Sequence, residues 1–95
     1  MQNRISESGS PSPNAAPGPY ASADDFLQAM RSGFEGLSRQ LKLIARYVET
    51  SRDRLALDGV QETAGQCGVQ PSAVVRFAKH FGFSGFSEMQ ALFRA

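Results

Sequence analysis

The sequence is poor in the residues and runs that build several common kinds of site. It contains one cysteine, Cys67, and one histidine, His80. A lone cysteine excludes an intrachain disulfide and is typical of a reducing cytoplasm. With His80 it supplies only half of the roughly four soft ligands that a structural zinc ion takes. No segment approaches the ~20 apolar residues of a membrane span, and the N-terminus lacks the apolar run of a secretory signal. We therefore predict a cytoplasmic protein with no metal, no cofactor and no membrane contact.

Net charge is also small. Ten Lys and Arg residues against nine Asp and Glu residues give a formal net charge of +1. This balance is unlike that of a strongly basic nucleic-acid binder, so any DNA binding must use a local basic patch. No nucleophile–base pair, metal cluster or phosphate loop is visible, which argues against an enzyme.

The first quarter of the chain has the composition of a disordered tail. Residues 1–23 hold four of the five prolines among Ser, Ala, Gly and Asn, and such a stretch buries too little apolar surface to offset its chain entropy. Residues 24–95 remain for one small domain with a thin core, a kind that often depends on a partner subunit. No useful segment alternates with a period of two, so the predicted class is all-α.

Two helices are predicted before the most informative part of the chain. The first runs over residues 24–34, with Asp24 and Asp25 at its N-terminus. The second runs over residues 39–50, with Ser38 as its N-cap. The apolar stripes of the two helices are Phe26, Leu27, Met30 and Phe34, and then Leu37, Leu41, Ile44, Ala45 and Val48. The basic residues off the second stripe are either a solvated face or phosphate contacts: Arg39, Lys42 and Arg46.

Residues 51–58 are polar and are predicted to be irregular, with Leu55 and Leu57 turned inward. A last helix begins near Phe86 and carries further large apolar residues, Met89, Leu92 and Phe93. The apolar residues of the first and last helices exceed the needs of so small a core. Either they form a dimer face, or they simply close the core of the monomer.

The segment between these parts fits a helix-turn-helix, two short helices that cross over a tight turn. The helices are predicted at residues 60–67 and 71–81. Ala64 is small where the second helix crosses the first, Gly68 tolerates the positive φ of the turn, and Val69 plugs the turn into the core. The inward stripe of the second helix is Val74, Phe77, Ala78 and Phe81, and Gly82 follows as a left-handed C-cap.

The outer face of the second helix is then the predicted DNA-contacting surface, lying in the major groove with its N-terminal end first. Arg76 can pair with a guanine edge or hold a phosphate, Lys79 suits a phosphate, and Ser72 and nearby amides suit a phosphate at the helix N-terminus. A small apolar side chain can touch a thymine methyl. The predicted residues are Gln70, Pro71, Ser72, Ala73, Val75, Arg76, Lys79 and His80. The alternative is the polar outer face of an ordinary bundle.

The order of these segments resembles the N-terminal domain of RpiR-type (MurR/RpiR) transcriptional regulators. The resemblance covers about residues 34–95 and is most specific over residues 68–88. It is carried by Leu37-Ser38, Ile44-Ala45-Arg46-Tyr47-Val48, Ala64, Gly68-Val69, Val74-Val75-Arg76-Phe77 and Phe81-Gly82-Phe83-Ser84-Gly85-Phe86-Ser87-Glu88.

The resemblance implies a five-helix, homeodomain-like helix-turn-helix bundle in a bacterial regulator of sugar or related carbon metabolism. Family members also carry a C-terminal sugar-isomerase-like (SIS) domain that senses a phosphosugar. That domain is absent from this sequence, so we expect an N-terminal fragment or a shortened protein.

Three residues depart from the family pattern. Gln70 stands where the family usually caps the second helix with Ser or Thr, which weakens the helix start by ~1 kcal/mol and replaces an expected DNA contact. Thr63 and Gly65 stand where the family prefers Leu and a helix former, and Gly65 costs about 0.8–1 kcal/mol relative to Ala. The first helix of the pair should therefore be the softer one. Cys67 is interpreted as a small core residue, since free cysteine is commonly buried.

The leading hypothesis is sequence-specific binding of double-stranded DNA by a homodimer, with half-sites about one helical turn apart. The competing hypothesis is a protein-interaction module that keeps the helix-turn-helix shape without binding DNA. The near-neutral charge and the departure at Gln70 favour this second interpretation.

Overall fold

The structure is a computed structural model that describes residues 19–94. Over this range all regular structure is helical, and the predicted all-α, helix-turn-helix class is confirmed. The helices are α1 (Ala23–Gly33), a 3-10 turn (Phe34–Gly36), α2 (Arg39–Thr50), α3 (Arg52–Leu57), α4 (Val60–Cys67), α5 (Pro71–His80) and α6 (Phe86–Arg94). No helix within the described range is long and apolar enough to cross a membrane. Residues 1–18 of the tail predicted at residues 1–23 lie outside the described residues.

Serine hydroxyls start the first two helices. Ser22 accepts a hydrogen bond from the backbone N–H of Asp25 at 3.1 Å, so the cap of α1 lies two residues before Asp24. The acidic residues Asp24 and Asp25 occupy the first turn instead, where they interact favourably with the helix dipole. Ser38 caps α2 as predicted, with the N–H of Leu41 donating to its hydroxyl at 3.4 Å.

The folded unit begins earlier than the sequence indicates. Residues 19–22, here called the strap, precede α1 and pack onto the segment that follows α5. The Tyr20 hydroxyl donates to the Phe81 carbonyl at 3.0 Å, and the Tyr20 ring lies 5.2 Å from that of Phe26 and 5.6 Å from that of Phe83, centroid to centroid. The predicted tail boundary at residue 23 is therefore wrong over residues 19–23, because a single aromatic side chain anchors a segment of otherwise tail-like composition.

Phe26 lies at the centre of an aromatic cluster that joins α1 to α5 and α6. It is fully buried, and its ring meets those of Phe77, Phe81, Phe83 and Phe93 edge to face, an arrangement that aromatic quadrupoles favour. Most of the apolar residues that the first and last helices carry beyond the expected needs of the core are buried inside the monomer. The members of that surplus that are buried are Phe26, Leu27, Met30, Met89 and Leu92.

The segment predicted to be irregular forms the short helix α3, so the bundle has one helix more than expected. Leu55 is buried as predicted, but Leu57 is 77% exposed, and the prediction for it was wrong. A helix this short is not stable by propensity alone. The buried side chain of Gln90 in α6 stabilises it by donating to the Leu55 carbonyl at 3.1 Å and to the Asp58 carbonyl.

Candidate nucleic-acid interface

The turn between α4 and α5 has the geometry that the helix-turn-helix pattern predicts. Gly68 adopts a left-handed conformation with φ of 73°. The N–H of Val69 donates to the Ala64 carbonyl at 3.0 Å, and the N–H of Gly68 donates to the Gly65 carbonyl at 3.3 Å. These two bonds are the Schellman pattern that closes a helix C-terminus. Ala64 is only 1% exposed, and α4 packs against α5, which agrees with a small residue where the two helices cross.

The two ends of α5 are held unequally. Pro71 is its first residue, and Gln70 occupies the N-cap without a side-chain hydrogen bond, so the predicted weak cap is confirmed. The C-terminal end closes with a second Schellman pattern. Gly82 has a φ of 94°, and the N–H of Phe83 donates to the Ala78 carbonyl at 3.0 Å.

The outer face of α5 is polar, exposed and free of acidic residues. Ser72, Arg76, Lys79 and His80 are all exposed, and the helix contains neither Asp nor Glu. The opposite face is buried through Val74, Phe77 and Ala78. A local basic surface therefore exists on a chain of near-neutral net charge, as DNA binding by this domain would require.

The structure removes one residue from the predicted surface. Ala73 is 2% exposed, because it lies four residues before Phe77 on the same buried side of the helix. It is therefore not accessible to a thymine methyl. Val75 is partly exposed at the edge of the outer face, where it lines a shallow groove with Val60 and Phe86. Pro71 is also partly exposed.

A residue outside the helix-turn-helix reaches this surface. The Arg76 guanidinium donates from Nη2 to Oε1 of Gln40, in the first turns of α2, at 3.2 Å. No local pattern predicts this contact, since the two residues are 36 positions apart. Two basic residues of α2 are placed differently, since the charged groups of Lys42 and Arg46 lie 5.3 and 5.5 Å from the centre of the Phe34 ring.

Cys67 lies at the end of α4, away from any arrangement that would activate it. It is partly buried, and this burial raises the pKa of its thiol to about 11. A thiol with a raised pKa is mostly protonated at neutral pH and is a poor nucleophile, as expected for a packing residue. Among residues 19–94, no three His, Cys, Asp or Glu side chains lie close enough to hold a metal ion.

The chain matches the model of a known protein family. A model of the helix-turn-helix domain of the rpiR family matches residues 25–93. The chain belongs to the rpiR helix-turn-helix family. A search of curated proteins finds no match.

Membership of the rpiR family confirms the predicted resemblance and gives the chain the fold of a DNA-binding regulator. The matched range contains both helices of the pair and all of the predicted DNA-contacting residues, together with Gln40. It does not contain the strap, which begins at Pro19 and ends at Ser22.

Proposed function

We propose that this rpiR-family domain binds double-stranded DNA by laying the outer face of α5, its recognition helix, in the major groove. The observation that carries the proposal is the surface of α5 described above, where Arg76 and Lys79 are exposed and the helix has no carboxylate. In this role Arg76 reads a guanine edge or a phosphate. Lys79 contacts a phosphate, and Ser72, with the amides of the first turn, contacts another.

The wider role that fits this site is a bacterial, cytoplasmic transcription regulator of sugar or related carbon metabolism. In such a protein a phosphosugar would act through a separate SIS domain. The domain would bind as a homodimer, because one helix-turn-helix buries only a modest DNA surface and two place half-sites about one turn apart. Phe26, Leu27 and Met30 of α1 are buried inside the monomer, which leaves them unavailable for a dimer contact. Sedimentation of the chain at high concentration tests this, and a clean monomer would exclude the dimer.

DNA binding is tested by selecting preferred sites from genomic fragments and measuring affinity over a range of salt concentrations. The logarithm of the affinity should fall linearly with the logarithm of the salt concentration. Arg76→Ala should lose the preferred site, with a cost of about 1–3 kcal/mol in discrimination. Lys79→Ala should weaken all sites alike and reduce the salt slope by about 0.9.

Arg54→Ala is the matched control. It removes the same charge from α3, which packs mainly on α6 and α2. It should leave both affinity and site preference nearly unchanged.

The protein-interaction module remains a second candidate, and two observations favour it. The net charge is only +1, and Gln70 makes no capping hydrogen bond at the start of the recognition helix. If the wild-type chain shows no salt-dependent DNA binding even when it is dimeric, the interaction module becomes the better description.

A further inference from the structure

Gln40 and Arg76 form a polar pair that bridges α2 and the recognition helix on the exposed surface. The separation of Arg76 Nη2 and Gln40 Oε1 is 3.2 Å, and both side chains belong to exposed residues. Helix α2 also packs on α5. The first turns of α2 therefore lie beside the face of α5 that carries the proposed DNA contacts.

The chemistry of the two groups fixes how the amide is oriented. A guanidinium has five N–H donors and no acceptor, so only the oxygen of the Gln40 amide can face it. The Gln40 Nε2 then points away from Arg76 and keeps two N–H donors, because the amide accepts through its oxygen alone. Phosphate oxygens and the acceptor atoms of guanine and adenine are the groups that such donors recognise in DNA.

The pair also leaves the charge of Arg76 uncompensated. Among the described residues, the ion pairs use four other cations, Arg31, Lys42, Arg52 and Arg54. Arg76 is held by a neutral amide instead. A carboxylate at the same place would orient the guanidinium equally well, but it would compete with DNA for the charge. The pair therefore orients the guanidinium and leaves its full charge available to DNA.

We propose that Gln40 is a positioning and DNA-contacting residue that extends the reading surface beyond the helix-turn-helix onto α2. Its carbonyl oxygen holds the Arg76 guanidinium in the orientation that meets DNA, and its amide N–H groups donate to a DNA phosphate next to the groove. This inference rests on the proposed function, and it adds a residue that no helix-turn-helix pattern includes.

A double-mutant cycle on the full chain tests the proposal. The variants are Gln40→Ala, Arg76→Ala and the combination, each measured on the preferred site and on sites changed one base pair at a time. Gln40→Ala should weaken the preferred site by roughly three- to tenfold and should relax the same base preference that Arg76→Ala relaxes. In the Arg76→Ala background it should cost only about twofold, uniformly across sites, because only the phosphate contact remains to be lost.

Gln40→Glu separates orientation from charge. The carboxylate of this variant pairs with Arg76 and repels the DNA backbone. The variant should therefore bind DNA more weakly than Gln40→Ala does, and the salt dependence of its affinity should have a slope smaller by about 0.9. Gln28→Ala, which removes an exposed glutamine from α1, is the matched control and should bind as the wild type does. Because both members of the pair are exposed, thermal unfolding of all variants should be nearly unchanged, which distinguishes positioning from a role in stability.

Three outcomes would overturn the inference. Binding of Gln40→Ala equal to that of Gln28→Ala removes any role for the residue. The positioning role is excluded if the losses of DNA affinity caused by Gln40→Ala and Arg76→Ala are additive in the double variant and Gln40→Ala does not change the base preference. Equal affinity of Gln40→Glu and Gln40→Ala contradicts the argument from charge. Absence of wild-type DNA binding would overturn the proposed function as well, whereas wild-type binding with any of these three results overturns the inference alone.

Discussion

Two glycines at the end of α4 have the same free space around them and opposite backbone requirements. A Cβ atom built on Gly65 or on Gly68 meets no other heavy atom within 4 Å. Gly65 lies in the helix interior, whereas Gly68 has a φ of 73°. Steric contacts therefore cancel in a comparison of the two alanine substitutions, and only the backbone terms remain.

The magnitudes follow from those terms. Gly65→Ala removes backbone freedom from the unfolded chain and should stabilise the fold by about 0.8–1 kcal/mol. Gly68→Ala forces a side chain into the left-handed region at a cost of about 1–2 kcal/mol, part of which is offset in the unfolded state. The net loss is about 1 kcal/mol. For a domain of this size, each change of 1 kcal/mol shifts Tm by about 4–8 °C, in opposite directions for the two variants.

Thermal and urea unfolding followed by helical circular dichroism measure both effects. The dependence of unfolding free energy on urea should keep the wild-type slope, since neither change alters the surface exposed on unfolding. A Gly65→Ala variant that is neutral or less stable than the wild type would refute the argument that this glycine weakens α4. A Gly68→Ala variant as stable as the wild type would refute the left-handed turn.

Three further predictions concern buried polar groups. Gln90→Leu should destabilise the fold by about 1–3 kcal/mol, because the Leu55 and Asp58 carbonyls lose their donor; unchanged urea unfolding would show that these bonds contribute nothing. Thr63→Val should stabilise it by about 1 kcal/mol, since the Thr63 hydroxyl is buried without a hydrogen-bond partner, and a lower Tm would contradict this reason. Cys67, whose pKa is raised by burial to about 11, should react with iodoacetamide at pH 8 far more slowly in the folded chain than in urea, and equal rates would exclude a protected thiol.

The parts of the fold that sequence reasoning predicted are those encoded over short distances. The apolar stripe of α2, its Ser38 cap and the Gly68 turn each depend on residues within a few positions of one another, so their spacing alone predicts them. The outer face of α5 follows from the same helical period. Ala73 was assigned to that face wrongly, although its spacing of four residues from Phe77 places it on the buried side.

The parts that were missed depend on contacts between residues far apart in the chain. Helix α3 needs Gln90, which is 35 residues from Leu55. Tyr20 bonds to Phe81 across 61 residues, and no composition rule distinguishes it from the tail around it. A tyrosine among prolines, serines and alanines was the only available signal for the strap.

The strap has a practical consequence for the choice of domain boundaries and for the placement of labels. A chain trimmed to residues 25–93, the range that matches the family, would lose Tyr20 and uncover Phe26 and the carbonyl of Phe81. The family boundary is therefore not the boundary of the folding unit. The strap also fixes where the N-terminal chain leaves the fold: Pro19 lies against Gly82, within 3.3 Å of the position a Cβ would take there. An affinity tag or fluorophore attached ahead of residue 19 is tethered at the C-terminal end of α5, beside Lys79 and His80, whereas one attached to α3 is not.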